Sequence, residues 1–154
     1  GENYMIEKNL KIFSSFLFYF MMIILIVIFF FSEEIIMLLF GIEYIKATFI
    51  LKILSTGYLF KVLSKPLEAL YNEIKGNPLI ISKANAFGFF VLIISMFLGS
   101  KYYGLTGAAL GTAITMLISY LVIFIYHLKN NRTNFLDYYN LENLYNSIML
   151  IFRK

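Results

Sequence analysis

An uninterrupted run of 21 residues without charge, from Ile12 to Ser32, constrains this chain more than any other feature of its sequence. About 20 apolar residues in a helix cross the hydrocarbon core of a bilayer, so the run predicts a transmembrane helix. The run is too long for the apolar part of a signal peptide, which has roughly 7–15 residues, and no A-x-A-like cleavage site follows it.

The composition of the whole chain agrees with that prediction. Of its 154 residues, 60% are hydrophobic and 14% are charged, whereas soluble domains have about 45–50% apolar and 25% charged residues. An ordinary water-soluble domain and a disordered tail are therefore excluded. The net charge is +4, but the basic residues flank apolar runs and form no patch, so we expect no nucleic-acid partner.

We predict an all-α, polytopic membrane helix bundle that forms a single domain over residues 1–154, with about four transmembrane helices. The predicted spans are 12–32, 44–75, 78–100 and 104–128, and an amphipathic tail helix covers 134–152. Pro66 should kink the second span. A short apolar piece that ends at Gly41 cannot cross a bilayer, and residues 99–104 are predicted to form a connector.

The tail carries apolar residues on one helical face. These are Leu141, Leu144, Tyr145, Ile148 and Phe152. Asp137 or Asn140 would be the N-cap of this helix. Such a helix lies on the membrane surface or leads towards further spans.

The basic residues predict the orientation of the chain, because Lys and Arg are enriched in cytoplasmic loops. With a cytoplasmic N-terminus, ten of the 13 basic residues fall inside, Lys46 and Lys101 fall outside, and Lys52 lies within the membrane. We therefore predict a multi-pass protein of the plasma (inner) membrane with both ends of this segment in the cytoplasm.

Lys52 is the most unusual residue of the predicted spans. It lies eight residues after Tyr44, about 12 Å along a helix and so near the bilayer centre. A lysine there costs roughly 2.5–3.5 kcal/mol on insertion scales. One interpretation is an anion-binding lysine in a transport pathway; the other is a side chain that snorkels to the outer surface.

Lys61, Lys65 and Glu68 share one helical face. They are interpreted either as part of a cytoplasmic gate or headgroup site, or as an ordinary i,i+3 pair beside a lysine that obeys the inside-positive rule. Pro66 is a candidate hinge, although proline kinks in membrane helices are often static. Gly107 and Gly111, with Thr115, have the small-xxx-small spacing that lets helices approach closely, and we expect their partner in the same chain.

No catalytic signature is present. The chain has no Cys and one His, and it lacks the H-E-x-x-H, G-x-S-x-G and P-loop motifs. We therefore expect no enzyme activity, no catalytic residues, no metal site and no cofactor. His127 and most tyrosines, Tyr71 among them, are expected at the membrane interfaces.

The order of these features resembles a known family. The first span is followed by IIMLLFGIEYIKATFILKIL, by a lysine-bearing helix with KPLEALYNEIKGNP, and by YYGLTGAALGTAIT at the start of the last span. This order resembles the C-terminal part of the polysaccharide-biosynthesis (O-antigen) flippases, which belong to the multidrug/oligosaccharidyl-lipid/polysaccharide exporter superfamily. Ile36–Tyr44 is similar to the segment after the family's ninth helix, and Gly104–Thr112 to the start of its twelfth.

The resemblance covers Phe13–Leu128 and implies a function. Flippases of this family move undecaprenyl-diphosphate-linked oligosaccharides across the plasma membrane by alternating access between two six-helix lobes. The chain begins with Gly1, and we expect it to supply four helices of a MATE-like second lobe, the remaining helices lying elsewhere in a longer protein. Membrane lipid and the lipid-linked oligosaccharide are the implied partners. Lys46, Lys52 and Lys61 are candidate substrate-binding cations by position alone.

Two other functions are compatible with the sequence. A cation-coupled multidrug antiporter of the same superfamily would favour carboxylates inside the spans, where the apolar stretches here carry lysines. A small membrane protein that acts by assembly, without a transport cycle, is the third hypothesis.

Overall fold

The computed structural model describes residues 2–130 and 138–152, and within these ranges the chain is helical with no strand. The helices are α1 (Glu2–Phe30), α2 (Ser32–Phe40), α3 (Ala47–Ala69), α4 (Leu79–Asn130) and α5 (Leu141–Phe152). A 3₁₀ turn, Ile42–Tyr44, precedes α3, and a π-helical turn, Leu70–Ile74, follows it. The predicted all-α class is confirmed.

Three of the described helices are long and apolar enough to cross a membrane. They contain the segments Met5–Phe30, Ala47–Asn72 and Leu79–Asn130. The membrane character predicted from the composition therefore extends over most of the described chain.

Small residues fill the interior of the bundle, and large apolar residues cover its outside. The buried residues include Ser15, Ser55, Gly57, Ser64, Ala84, Gly88, Gly107 and Gly111. The exposed ones include Ile23, Phe30, Phe89, Phe90, Phe97 and Leu105. Soluble proteins have the opposite arrangement, whereas helices that pack in lipid meet through small residues.

α1 and α3 pack side by side in opposite directions. Early residues of α1 face late residues of α3, since Ser14 and Pro66 line one pocket. Phe29 and Ser55, from the other ends of the two helices, line a second pocket. The short α2 connects them, and it ends at Gly41 (φ 91°) as predicted.

α4 bends back on itself at Gly104, whose φ of 60° and ψ of −141° break the helix. The arms, 79–103 and 105–130, lie against each other: a Cβ on Gly107 would collide with the backbone of Gly99, and one on Gly111 would lie 2.8 Å from the Ser95 carbonyl carbon. The reversal falls at Gly104, the last residue of the predicted connector over residues 99–104, whereas residues 99–103 are helical. Because the backbones touch beside the bend, one glycine suffices to reverse the chain.

The second arm of α4 also packs against α3. A Cβ on Gly57 would lie 2.8 Å from the Ala113 Cα. Further along, Leu67 and Tyr71 form a buried cluster with Ile81, Ala84 and Ile123.

Tyr71 and His127 belong to this interior. Tyr71 is 2% exposed and His127 is 1% exposed, and 3.4 Å separates the Tyr71 hydroxyl oxygen from the His127 Nδ1. Their predicted depth at the membrane interface stays a prediction; the structure adds that the π-helical turn and the second arm of α4 converge on this pair and cover both rings.

The chain returns to α1 after α4. The Ser15 hydroxyl donates to the Tyr138 carbonyl (2.8 Å), and the Tyr139 hydroxyl donates to the Leu63 carbonyl of α3 (2.7 Å). The Asn140 side chain accepts a bond from the Glu142 N–H (3.0 Å) and so caps α5; Asp137, the other predicted cap, lies outside the described residues. Tyr145, on the predicted apolar face of α5, is 62% exposed.

The close contact at Gly107 gives a prediction about stability, because packing and helix propensity should change the stability of a Gly→Ala variant in opposite directions. Gly→Ala inside a helix normally stabilises by about 0.5–1 kcal/mol, but overpacking costs about 1–3 kcal/mol. We expect Gly107→Ala to lower the midpoint of thermal unfolding in detergent. Ser100→Ala, at an exposed position of the same hairpin, is the control. A Gly107→Ala variant at least as stable as the wild type would refute the close contact.

Candidate functional site

α3 carries the candidate substrate-binding cations, and Lys52 is the first to place. Its side chain is partly exposed, and its Nζ lies 5.8 Å from the centroid of the Phe29 ring. Within the described ranges, no carboxylate lies within ion-pair distance of Lys52. A cation over an aromatic ring gains about 0.5–1 kcal/mol where it is exposed, and the ammonium keeps its hydrogen-bond donors for another partner.

The three predicted cations are spread along α3. Lys46 is exposed at the N-cap position, about 9 Å along the helix axis from Lys52, and Lys61 lies about 14 Å beyond Lys52 in the other direction. The structure therefore does not bring Lys46, Lys52 and Lys61 together into one cluster.

Lys61 instead belongs to an ionic cluster around Glu68. Lys61 Nζ and Lys65 Nζ each lie 2.8 Å from a different oxygen of the Glu68 carboxylate. The Ser64 hydroxyl donates to one of these oxygens at 2.8 Å. The Glu68 side chain is 12% exposed, against 32% for Lys61 and 59% for Lys65. Two cations and one anion leave the cluster with a formal charge of +1.

The shared face of this cluster is visible in the sequence, but the part that Ser64 plays is not. Ser64 precedes Glu68 by four residues, a spacing that places two side chains on the same helical surface. Lys61 reaches across two turns to Glu68, so the Lys65–Glu68 pair is one half of a larger network.

Pro66 lies between the cluster residues, inside a helix that continues through it. Proline has no N–H to bond the carbonyl four residues earlier. The adjacent Leu63 carbonyl accepts the Tyr139 hydroxyl, and burial raises the pKa of Tyr139, which keeps this donor protonated. Any bending at Pro66 must carry the tail along or break that bond.

A groove of about 580 Å³ separates α1 from α3 beside the cluster. Leu10, Leu17 and Met21 line it from α1, and Tyr58, Val62 and Ala69 line it from α3. Lys61, Lys65 and Pro66 also reach its wall. We call it the α1–α3 groove.

Gly107 and Gly111, the predicted packing residues, lie at the contact between the arms of α4 and away from these cations. In the part of the chain that the structure describes, no three His, Cys, Asp or Glu side chains are grouped so that they could hold a metal ion. The lysines of α3 can attract anions electrostatically on a largely apolar surface.

No protein-family model, curated protein or solved structure matches this chain at a significant level.

Substitutions in the Glu68 cluster should have unequal effects. Glu68→Gln removes the charge that both lysines share, and we expect it to lower the free energy of unfolding by about 1–3 kcal/mol. Lys65→Gln should cost less than about 1 kcal/mol, because that side chain is mostly in solvent. Thermal unfolding in detergent measures both, with Glu34→Gln at an exposed position of α2 as the control. Equal losses for Glu68→Gln and Glu34→Gln would contradict the cluster.

Proposed function

We propose that this chain is the C-terminal part of a membrane flippase that moves lipid-linked oligosaccharide repeat units across the plasma membrane for surface-polysaccharide synthesis. The chain would contribute four helices of a MATE-like second lobe, and the rest of a longer protein would contribute the others. Both ends of the segment would be cytoplasmic.

The observation that carries this proposal is Lys52. An ammonium group at the centre of a transmembrane helix costs roughly 2.5–3.5 kcal/mol to insert. Lys52 is the sixth residue of α3, and none of the described carboxylates neutralises it. Unless it snorkels to the outer surface, such a residue needs a water-filled cavity or an anionic ligand, and the diphosphate of a lipid-linked sugar is an anion of that kind. At about 4 Å and an effective dielectric of about 20, one charge pair contributes about 4 kcal/mol.

The four-span count is supported by the bend at Gly104. The arms of α4 have 25 and 26 residues by their numbering, so each is long enough to cross the ~30 Å core on its own. With α1 and α3 this makes four crossings. α3 and the second arm of α4 then run from the outside to the cytoplasm, which agrees with the contacts Gly57–Ala113 and Tyr71–His127.

The large exposed apolar surface is compatible with a part of a bigger helical assembly. Phe89, Phe90 and Phe97, on the first arm of α4, are each more than half exposed. Such a surface can be covered by lipid alone or by further helices of the same protein. The resemblance to two-lobed transporters favours coverage by further helices.

The antiporter alternative requires a carboxylate free to exchange cations. In the segment Ala47–Asn72, Glu68 accepts bonds from Lys61, Ser64 and Lys65, so its oxygens are already occupied by donors. This arrangement disfavours ion coupling through the described helices. The assembly hypothesis has no specific contact in its favour.

Replacing Lys52 tests the proposed cavity role. In the complete gene, Lys52→Ala should abolish or strongly reduce polysaccharide export in a complementation assay while the protein level in the membrane is unchanged. Lys52→Arg should retain export, because the charge remains. Lys83→Ala, an exposed lysine near the start of α4, is the control. Normal export by Lys52→Ala would count heavily against this function.

Site-directed labelling tests the topology separately. A cysteine at position 101 should react with a membrane-impermeant thiol reagent added to intact cells, and a cysteine at position 75 should react only after the cells are opened. This segment has no native cysteine, so the introduced residue is its one reactive thiol, and the unsubstituted protein serves as the background. The reverse pattern would refute the proposed orientation.

A further inference from the structure

We propose that the α1–α3 groove binds an acyl chain of an anionic glycerophospholipid from the cytoplasmic leaflet, and that Lys61 and Lys65 hold its phosphate. This site is additional to the proposed substrate path. It depends on the proposed membrane orientation but not on flipping.

The groove has the length of one leaflet. Its wall runs from Leu10 to Met21 on α1 and from Tyr58 to Ala69 on α3, which is about 16 Å along each helix. Half of the ~30 Å hydrocarbon core has the same depth. A further transmembrane helix would need a surface along the full length of α1, so the groove is better suited to one lipid chain.

The groove wall is suited to hydrocarbon. Leu17, Met21 and Val62 supply aliphatic surface, and the Phe13 side chain at its edge is 59% exposed. The volume of about 580 Å³ falls in the ~300–1,000 Å³ range of small-molecule pockets. The glycan of a lipid-linked sugar needs many hydrogen-bonding partners, which this wall does not offer.

The charges stand on the α3 wall of the groove. Lys61 Nζ and the Ser64 hydroxyl meet the same Glu68 oxygen, so the ammonium groups lie beside Ser64, between the level of Lys61 and the cytoplasmic end of α3. Glu68 therefore draws both ammonium groups to one place. Each ammonium has three N–H donors and uses one on Glu68, so donors remain for a phosphate. The net charge of +1 makes an anionic headgroup the favoured ligand.

Native mass spectrometry of the delipidated protein in detergent tests this site. The probes are phosphatidylglycerol and phosphatidylcholine with identical acyl chains. We expect phosphatidylglycerol to bind the wild type about tenfold more tightly, a ratio that equals roughly 1.4 kcal/mol. Lys61→Gln/Lys65→Gln should remove this preference, and Lys61→Arg/Lys65→Arg should keep it.

The controls separate this site from general attraction of anionic lipid to cations. Lys75→Gln/Lys83→Gln removes two exposed lysines at the same end of the bundle and should leave the preference intact. If the double Gln variant of the cluster does not fold, Lys65→Gln alone should reduce the preference, since that side chain is 59% exposed. An equal loss in the Lys75/Lys83 variant would overturn the proposal, as would the absence of a preference in the wild type.

A second variant tests the acyl-chain pocket. Ala69→Phe fills the groove and should weaken the binding of both lipids severalfold without changing the ratio of their affinities. Ala86→Phe, at an exposed position of α4, should change neither the affinities nor their ratio. Undiminished binding by Ala69→Phe would show that the lipid lies elsewhere. None of these measurements involves transport, so an export defect at Lys52 and a binding defect at Lys61 and Lys65 are independent results.

Discussion

Direct contact between helix backbones at small residues is the interaction on which this structure depends. In lipid, apolar side chains gain little by leaving their surroundings, so helices associate through close packing and hydrogen bonds. Gly57 meets Ala113, and Gly99 meets Gly107. Beside them, the Ser95 hydroxyl donates to the Gly111 carbonyl (3.2 Å). At these contacts there is no room for large side chains, and many phenylalanine and isoleucine side chains lie on the outside.

α3 is the helix that connects the parts of the bundle. It packs against α1 on one side and the second arm of α4 on another, and the tail bonds to its Leu63 carbonyl. The same helix carries Lys52, Lys61 and Pro66, and Lys46 is its N-cap residue. A change in the tilt of α3 would therefore alter the α1–α3 groove, the Glu68 cluster and the Tyr139 contact together, since they share one backbone.

The predictable and unpredictable parts of the fold differ in physical origin. The charge-free run from Ile12 and the stop at Gly41 follow from local properties of the chain, hydropathy and backbone freedom. The environment of His127 depends on which helices converge around it, and a single helix pattern does not contain that information. The Lys61–Glu68 bond spans two helical turns. Ser64, which bonds to the same Glu68 oxygen, is uncharged, so a search of the sequence for opposite charges does not find it. At the site, the sequence therefore indicated the shared face and the Lys65–Glu68 pair, but not the bonds from Lys61 and Ser64 to the same carboxylate.

The lysines of α3 are consequently of two kinds. Lys61 and Lys65 share a carboxylate, so part of their desolvation cost is offset within the protein and the remaining charge is small and local. Lys52 has an aromatic ring beside it and, among the described residues, no carboxylate. Since an aromatic face offsets less of that cost than an anion does, the larger demand for water or an anionic ligand falls on Lys52. If the proposed transport function holds, an anion that must be bound and then released is better served by such a weakly neutralised cation than by one already paired.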